Sequence, residues 1–254
     1  MFGRNACLLS VLLMMASGTV FSQPPGYSED DAGTAPSSAD NVRIAIAWGE
    51  QLRPPSRYPQ VIINLKEAMM KWTKTPVTIT SQFRIGSPDL MKQSIVFVST
   101  DKQFQLTDTE KKNLRGYIAK GGLLVVDNAT AEMSNSQAGA SLLQMVKDIA
   151  GSKRLESVPN THPIYETPFK LGGPPLGSDI ALTKVGEKIG ADGAVQDSKV
   201  LTSEAGALQG VFINGRLAIL FSNKGYTAKW NDFTNDVQLK FGVNLITYAL
   251  SQKR

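Results

Sequence analysis

Short apolar segments alternate with amphipathic helical segments along most of this chain, and this alternation constrains the fold more than any other feature. Residues 42–48 and 123–126 are apolar runs bounded by polar residues or glycine, which is typical of strands buried on both faces. Residues 61–72 repeat apolar side chains at intervals of three and four, as the buried side of a helix does. Strands that alternate with helices predict an α/β fold with a mostly parallel sheet covered on both sides.

Two further strands and a well-marked helix lie within this region. Residues 77–80 and 94–98 are rich in β-branched and apolar side chains and predict two strands. Thr107 and Glu110 have the spacing of a capping box, in which each side chain accepts a hydrogen bond from the other residue's backbone amide, so we expect a helix to begin here. Gly121 is suited to the left-handed conformation that commonly follows the last turn of a helix.

The C-terminal part of the sequence predicts a hairpin and a final helix. Residues 208–212 and 216–221 flank Asn214-Gly215, the dipeptide that most strongly favours a two-residue hairpin turn. Residues 236–250 carry apolar side chains along one side and predict a helix. We therefore expect the mostly parallel sheet to be completed by a C-terminal β-hairpin plus helix.

A long irregular segment separates the two halves of this pattern. Residues 142–150 predict one more amphipathic helix, whereas residues 151–205 are rich in Pro and Gly and show no strong period. Loops of that length are uncommon inside a compact domain. We expect either an excursion on the ligand side of the sheet or a small subdomain.

Residues 1–22 have the organisation of a secretory signal peptide. Arg4 is their only charged residue, residues 6–20 are almost entirely apolar or small, and small residues precede an expected cut after Ser22. We therefore expect a cleaved signal peptide and a protein secreted to the periplasm. An uncleaved anchor is the alternative, although the apolar run is short for a bilayer span. No apolar run of about 20 residues follows, so we do not expect an integral membrane protein.

Residues 23–40 are acidic and rich in Pro, Gly and Ser, and we expect them to form a disordered tether before an α/β domain at 41–254. The chain has 27 Lys and Arg against 22 Asp and Glu, a formal net charge of +5, and the tether holds acidic but no basic residues. The domain is therefore more basic than the whole chain. This charge suits an anionic small molecule, a polysaccharide or an acidic protein partner, but it also serves ordinary solubility. For an exported protein we expect no nucleic acid partner.

An ordered set of short motifs carries a family resemblance. The motifs are Gly121-Gly122 before a strand ending in Asp127-Asn128, then His162-Pro163-Ile164-Tyr165, Gly215-Arg216-Leu217-Ala218-Ile219, Trp230, Gly242-Val243-Asn244 and Tyr248-Ala249-Leu250. Together they resemble the DUF4159 family over about residues 41–251. That family is similar to the class I glutamine amidotransferase-like fold, a flavodoxin-like α/β sandwich. The resemblance implies this fold and brings no established activity and no catalytic residues.

Several kinds of catalysis lack their residues in this sequence. Amidotransferase chemistry needs a cysteine nucleophile on a strand-to-helix turn, and the one cysteine, Cys7, lies inside the expected signal peptide. No Gly-x-Ser-x-Gly turn offers a serine in its place. With a single histidine and no mature cysteine, the usual zinc sites cannot form either. We predict no metal and no cofactor, and we favour a protein that is not an enzyme.

Polar and aromatic residues follow the predicted strands at the edge where open parallel sheets bind their ligands. They are Trp48, Glu50, Arg53 and Arg57 after the first strand, Thr100 and Asp101 after the third, and Asp127 and Asn128 after the fourth. Arg53 and Arg57 suit a carboxylate, phosphate or sulfate, although two solvated arginines would look the same. Asp127 suits a general base or hard-cation ligand, or simply a carboxylate that caps the next turn.

His162 and Trp230 complete the candidate residues. Pro163 holds His162 in an extended conformation, where it either faces the cleft and moves a proton or forms an ordinary structural hydrogen bond. Trp230 lies in a polar stretch after the hairpin and either stacks on a sugar or peptide ring or fills the core.

The leading hypothesis from the sequence is a non-catalytic binding or scaffolding domain that recognises an anionic ligand or partner in the strand-end cleft. One alternative is a hydrolase without a covalent nucleophile that uses Asp127 and His162 around a bound water or cation. The other is a carbohydrate-binding protein that uses its Trp and Tyr side chains. Convergence of Asp127, His162 and Arg57 in one pocket would favour the hydrolase.

Overall fold

A computed structural model describes residues 42–131, 136–179 and 208–252 of the chain. The expected signal peptide and the expected tether at 23–40 lie outside the described residues, as does part of the irregular segment predicted at 151–205. The described part of that segment is mostly loop, as expected.

The described strands form one seven-stranded sheet in the order β2-β1-β3-β4-β7-β6-β5. The strands are β1 (Val42–Trp48), β2 (Val77–Arg84), β3 (Ile95–Thr100), β4 (Leu123–Asn128), β5 (Glu156–Ser157), β6 (Gln209–Ile213) and β7 (Arg216–Ser222). Neighbours are parallel from β2 to β7, whereas β7, β6 and β5 pair antiparallel. The helices are α1 (Val61–Thr73), α2 (Asp108–Ala119), α3 (Gln137–Ala150), α4 (Tyr226–Trp230) and α5 (Asp236–Ser251).

This architecture confirms the predicted flavodoxin-like α/β fold with its C-terminal hairpin and helix. The chain runs from β1 outward to β2 and then crosses back to β3 on the other side of β1, so the direction of winding reverses between β1 and β3. In open α/β sheets, such a reversal opens a crevice beyond the carboxyl ends of the two strands. The topology therefore places a candidate ligand site at the ends of β1 and β3.

Alternation along the central strands divides the core into two layers. Ile44, Ile95, Phe97 and Val125 pack with α1, α4 and α5 on one face of the sheet. The intervening residues, such as Val96, pack with α2 and α3 on the other face. We call the first the α1/α5 face and the second the α2/α3 face. Because successive side chains of a strand point to opposite faces, this parity decides which strand-end residues can meet.

The predicted start and end of α2 and the predicted hairpin turn are confirmed. The Thr107 hydroxyl accepts from the Glu110 amide at 3.3 Å, and Glu110 Oε2 accepts from the Thr107 amide at 2.9 Å, which completes the capping box. Gly121 has a φ of +102°, in the region that glycine favours. Asn214 and Gly215 have φ values of 53° and 76°, as a two-residue hairpin turn with two left-handed positions requires.

Several elements differ from the sequence interpretation. α3 begins at Gln137, five residues before the predicted start at residue 142. β2 continues to Arg84, four residues beyond the predicted strand, because its register with β1 resumes after an irregularity between Ala45 and Ala47. The polar stretch after the hairpin contains the short helix α4, which places the Trp230 side chain in the core.

Among the described residues, no helix combines the length and the apolar character that crossing a bilayer demands.

Candidate functional site

A cavity of about 520 Å³ opens at the carboxyl ends of β1 and β3, at the reversal point of the winding. It lies over the α1/α5 face and is closed by the loop at 53–59, the first turns of α1, and α4. Its apolar walls include Ile46, Trp48, Pro54, Pro55, Tyr58, Ile62, Leu65, Phe97 and Trp230. Its polar lining consists of Arg53, Ser56, Ser81, Gln82, Ser99, Asp101, Lys102, Asp127 and Thr227. Apolar walls with a few polar groups are the usual composition of a small-molecule site.

Strand parity explains which strand-end residues reach this cavity. Trp48, Ser99 and Asp127 continue the rows of side chains on the α1/α5 face, and Ser99 pairs directly with Asp127 across β3 and β4. Thr100 and Asn128 are the next residues along the same strands and therefore point to the α2/α3 face. The side chains of the adjacent residues Asp127 and Asn128 therefore point to opposite faces of the sheet.

Asp127 lies at the inner end of the cavity and is 2 % exposed. Its Oδ2 accepts hydrogen bonds from the Thr227 amide and the Thr227 hydroxyl, both at 2.7 Å. The same hydroxyl lies 2.8 Å from the Ser99 hydroxyl, which also lines the cavity. The other oxygen, Oδ1, is buried and has no hydrogen-bond partner in the described part of the chain.

Burial raises the pKa of the Asp127 carboxyl above its ordinary value of 3.8. The two hydrogen bonds from Thr227 lower this pKa, as do the nearby Ser222 hydroxyl and Tyr226 amide. Neither Ser222 nor Tyr226 makes a hydrogen bond of ordinary geometry to Oδ1. No basic side chain contributes to this balance within the described ranges. Desolvation without a compensating cation therefore favours the neutral acid.

The basic residues of the cavity lie on the strand-end loops. The Arg53 guanidinium stacks over the Trp48 ring, with Cζ 4.5 Å from the ring centroid. Its Nη1 also donates to the Leu52 and Gly49 carbonyls, which fixes the loop after β1. Lys102 is exposed and follows Asp101 at the end of β3. The cavity therefore combines an aromatic and proline wall with two cationic side chains.

Arg57 and Glu50 are near the cavity but do not line it. Arg57 Nη2 donates to the Ala129 carbonyl at 2.7 Å, and its Nε lies 3.9 Å from Asp101 Oδ2, so Arg57 fastens the loop after β1 to the ends of β3 and β4. The Glu50 side chain is exposed, and its backbone amide donates to Glu110 Oε1 at 2.8 Å. Both residues hold the loop that forms one wall of the cavity.

Thr100 and Asn128 have structural contacts on the α2/α3 face. The Thr100 hydroxyl accepts from the Lys102 amide at 3.2 Å. Asn128 Oδ1 accepts from the Thr130 amide at 3.0 Å and from its hydroxyl at 2.9 Å, and Nδ2 donates to Asn223 Oδ1 at 2.7 Å. These bonds occupy the side-chain amide of Asn128, and neither Thr100 nor Asn128 is among the residues that line the cavity.

Trp230 contributes to the cavity from within the core. It is 2 % exposed, meets the Phe97 ring edge-on at 5.5 Å between centroids, and donates from Nε1 to the Gln238 carbonyl at 2.8 Å. A ring held in this way forms part of the inner wall. It does not offer the exposed face on which a surface sugar site stacks its ligand.

His162 lies at the opposite end of the sheet from Asp127. Its ring is 5.1 Å from the Tyr248 ring and 5.9 Å from the Phe212 ring. Tyr248 in turn accepts from the Leu217 amide at the start of β7, whereas Asp127 pairs with Ser222 at the end of β7. The structure therefore does not bring Asp127 and His162 together, and the proposed hydrolase pair is not assembled.

The contacts of His162 are those of a structural residue. Nδ1 accepts from the Ile164 amide at 3.3 Å and so caps a single turn of 3-10 helix at Pro163–Tyr165. Burial lowers the pKa of the imidazole below its ordinary value of 6.5. A neutral imidazole leaves Nδ1 able to accept the hydrogen bond from the Ile164 amide, and it packs against the Tyr248 and Phe212 rings without burying a charge.

Sequence reasoning found Trp48, Arg53, Asp101, Asp127 and Trp230 on the cavity but missed other important lining residues. Ser99 was recoverable, because it stands two residues after the buried Phe97 and therefore shares its face. Thr227 had no such signal, since it reaches Asp127 from a short helix a hundred residues away. Tyr58 and the two prolines Pro54-Pro55 were visible only as features of a loop.

The comparison with known families decides the classification of the chain. A family model described as "Domain of unknown function (DUF4159)" matches residues 51–250. The chain belongs to the DUF4159 family. A search among curated proteins found no match. For this DUF4159 protein, any statement about the ligand therefore depends on the chemistry of its own cavity.

Proposed function

We propose that this DUF4159 domain is a non-catalytic binding protein that takes an organic anion into the cavity at the ends of β1 and β3. One observation carries the proposal: the cavity lies at the reversal point of an open α/β sheet and combines apolar walls with the cationic Arg53 and Lys102. Its volume of about 520 Å³ is within the range of small-molecule sites.

The charge distribution supports an anion in preference to a cation. Arg53 and Lys102 line the cavity, whereas the carboxylate of Asp101 is shared with Arg57 at 3.9 Å, and burial raises the pKa of Asp127. Arg57 also ties the loop between Gly49 and Tyr58 to the end of β4, so the cationic wall is held in place before a ligand arrives. A preformed site loses less free energy to ordering on binding.

Among the residues that the structure describes, the cavity shows no assembled catalytic group for covalent chemistry. Thr227 and Ser99 are hydroxyls without a histidine, and their buried neighbour Asp127 already receives two hydrogen bonds from Thr227. Binding without turnover is the activity that these residues support best.

If residues 1–22 are removed during export, the domain performs this binding in the periplasm. Mass spectrometry of the exported protein tests this location, and a mature chain that still begins at Met1 contradicts it.

A thermal-shift screen with a panel of carboxylates, phosphates and sulfates tests the proposed function. A ligand present at 100 times its dissociation constant adds about 2.7 kcal/mol to the free energy of unfolding. Lys102→Ala is the informative variant, because Lys102 is exposed and its removal leaves the loop contacts of Arg53 in place. We expect it to weaken binding several-fold, and more at low salt than at high salt.

Lys112→Ala is the matched control for that experiment. Lys112 is an exposed lysine on α2 and is not among the residues that line the cavity. Its replacement changes the net charge by the same amount and should leave the affinity unchanged. The proposal is wrong if no anion in the panel stabilises the protein, or if both lysine variants affect binding equally.

A further inference from the structure

The cavity at the ends of β1 and β3 has an exposed rim and a buried apolar interior. Ser56, Gln82 and Lys102 line the cavity and are exposed, so they mark its mouth. Leu65 and Trp230 also line the cavity but are 0 % and 2 % exposed, so they belong to its inner end. A ligand that fills the cavity therefore extends from a hydrated rim into an interior that excludes water.

The polar side chains at the inner end bond to one another. The Thr227 hydroxyl lies 2.7 Å from Asp127 Oδ2 and 2.8 Å from the Ser99 hydroxyl, so the three side chains form one hydrogen-bonded chain. The remaining carboxyl oxygen, Asp127 Oδ1, is buried away from solvent and offers a ligand no contact. A polar ligand group would lose its hydrogen bonds to water here without finding a free partner, whereas hydrocarbon loses nothing.

The cationic side chains of the cavity belong to its outer part. Arg53 lies on the loop after β1, and the exposed Lys102 follows the end of β3. At the inner end, the carboxyl of Asp127 has hydrogen bonds from Thr227 but no cationic neighbour among the residues that the structure describes. An anionic group placed beside Asp127 would be desolvated without a counter-charge. The charge of the ligand therefore belongs at the mouth.

We propose that the ligand is an amphipathic acid with one anionic group and a hydrocarbon tail, and that the tail enters the cavity first. The inference rests on the proposed function, to which it adds the chemical class and the orientation of the ligand. The anionic group lies beside Arg53 and Lys102, and the tail lies along Ile46, Leu65 and Phe97. Medium-chain alkyl carboxylates and alkyl sulfates have this chemistry, which short anions and diacids lack.

Calorimetric titration of the full protein with alkyl carboxylates of increasing length tests the tail. The series is butanoate, hexanoate, octanoate, decanoate and dodecanoate, at one pH and one salt concentration. We expect the affinity to rise roughly fourfold for each added methylene, because each one buries more apolar surface, and to stop rising once the tail fills the cavity. An affinity that stays constant along the series overturns the proposal.

Decanedioate is the matched probe for the orientation. It has the chain length of decanoate but carries a second carboxylate at the far end. Binding with the tail inside would place this second charge at the inner end of the cavity, so we expect decanedioate to bind roughly a hundredfold more weakly than decanoate, or less tightly still. Equal binding of the two acids overturns the proposed orientation.

Ile46→Phe tests whether the tail lies inside this cavity. Ile46 lines the cavity, is half-buried and pairs with Phe97 across β1 and β3, so a phenyl ring at this position takes up part of the space for the tail. We expect the affinity to stop rising at a shorter chain than in the wild-type protein, with little change for butanoate. Ile79→Phe is the matched control, because Ile79 is a half-buried isoleucine of β2 that packs against the same core but is not among the lining residues.

The outcomes distinguish this inference from the proposed function. Equal binding of all chain lengths, with weaker binding by Lys102→Ala, overturns the tail and leaves the anion site standing. A chain-length profile that Ile46→Phe leaves unchanged, or that both isoleucine variants change equally, places the tail outside the cavity and overturns the inference. If no alkyl acid binds while another anion does, the ligand class is wrong. If no anion binds at all, the proposed function fails and this inference fails with it.

Discussion

Asp127 and Thr227 are joined by two hydrogen bonds of 2.7 Å that span a hundred residues of sequence. One donor is the Thr227 backbone amide at the start of α4, and the other is its side-chain hydroxyl. The pair connects the end of the central strand β4 to the short helix that closes the cavity. Its strength therefore affects both the stability of the domain and the shape of the site.

Replacement of the Thr227 hydroxyl by a methyl group should destabilise the fold. Thr227→Val keeps the amide donor but removes the hydroxyl, so Asp127 Oδ2 loses one of its two hydrogen bonds. We expect the free energy of unfolding to fall by about 1–2 kcal/mol in urea titrations. Thr234→Val is the matched control, because Thr234 also donates to an aspartate, Asp232, at 2.7 Å but on the exposed surface. The control should change stability by less than about 0.5 kcal/mol.

The stability difference between Asp127→Asn and the wild-type protein should increase with pH. Burial raises the pKa of Asp127 in the folded state, so the folded protein holds a proton that the unfolded chain releases at lower pH. The stabilisation from this proton is complete below the unfolded value of 3.8 and is lost as the pH rises through the folded pKa. Asparagine does not titrate, so Asp127→Asn does not lose this stabilisation. Urea unfolding curves recorded from below pH 3.8 upward measure the stability difference between the two proteins. Parallel pH profiles of the two proteins would contradict the prediction.

His162 should produce the opposite pH dependence. Burial lowers the pKa of the imidazole in the folded state, so the unfolded chain binds a proton first as the pH falls. The wild-type protein should lose stability from the ordinary value of 6.5 downward, until the folded pKa is reached. His162→Asn retains an acceptor for the Ile164 amide and should remove this dependence. Thermal unfolding of both proteins at neutral and mildly acidic pH is the test.

Arg57 should contribute more to ligand binding than to stability. Its guanidinium is partly exposed and holds the loop after β1 through the Ala129 carbonyl. Arg57→Ala should keep the melting temperature within about 2 °C, the usual range for a surface change, and should increase hydrogen exchange at the loop amides of 50–58. Arg115→Ala is the control, because Arg115 is an exposed arginine that also bonds a carbonyl, that of Asp148, at 2.7 Å. If Arg115→Ala weakened ligand binding as much as Arg57→Ala does, the loop after β1 would not explain the effect of Arg57→Ala.

Asn244 should be among the most sensitive positions of the core. It is fully buried on α5, where Oδ1 accepts from the Phe169 amide at 3.0 Å and Nδ2 donates to the Phe169 and Ile164 carbonyls at 2.8 and 3.1 Å. Asn244→Leu leaves these backbone groups unpaired and should cost about 3 kcal/mol or more in urea unfolding. Asn113→Leu removes one hydrogen bond, to the Ile85 carbonyl, and should cost about 1 kcal/mol.

Local sequence patterns were sufficient to predict most of the fold. The capping box at Thr107, the glycine at 121 and the turn at Asn214 act over a few residues, so each is visible in a short window of sequence. α4 escaped prediction because its five residues are too few to show a helical period. It begins after Gly225, whose φ of 65° is a left-handed conformation that the sequence alone does not specify.

The candidate site was only partly predictable, because its contacts depend on tertiary structure. The sequence identified the strand ends and hence Trp48 and Asp127. It did not distinguish Asp127 from Asn128, since that choice depends on which face of the sheet each strand presents to α1 and α5. The separation of His162 from Asp127 depends on the direction of β7, a strand placed by long-range pairing.

The position of β7 in the sheet has a consequence for how the chain is made. Leu124 of β4 pairs with Ile219 of β7, and every strand on the β2 side of this junction precedes the long connection in sequence. During synthesis, β1 to β4 emerge first and leave one edge of β4 open until β7 has been made. An open apolar strand edge is a template for pairing with another chain. Chains truncated before Gln209 should therefore aggregate, whereas the complete protein closes this edge with its own hairpin.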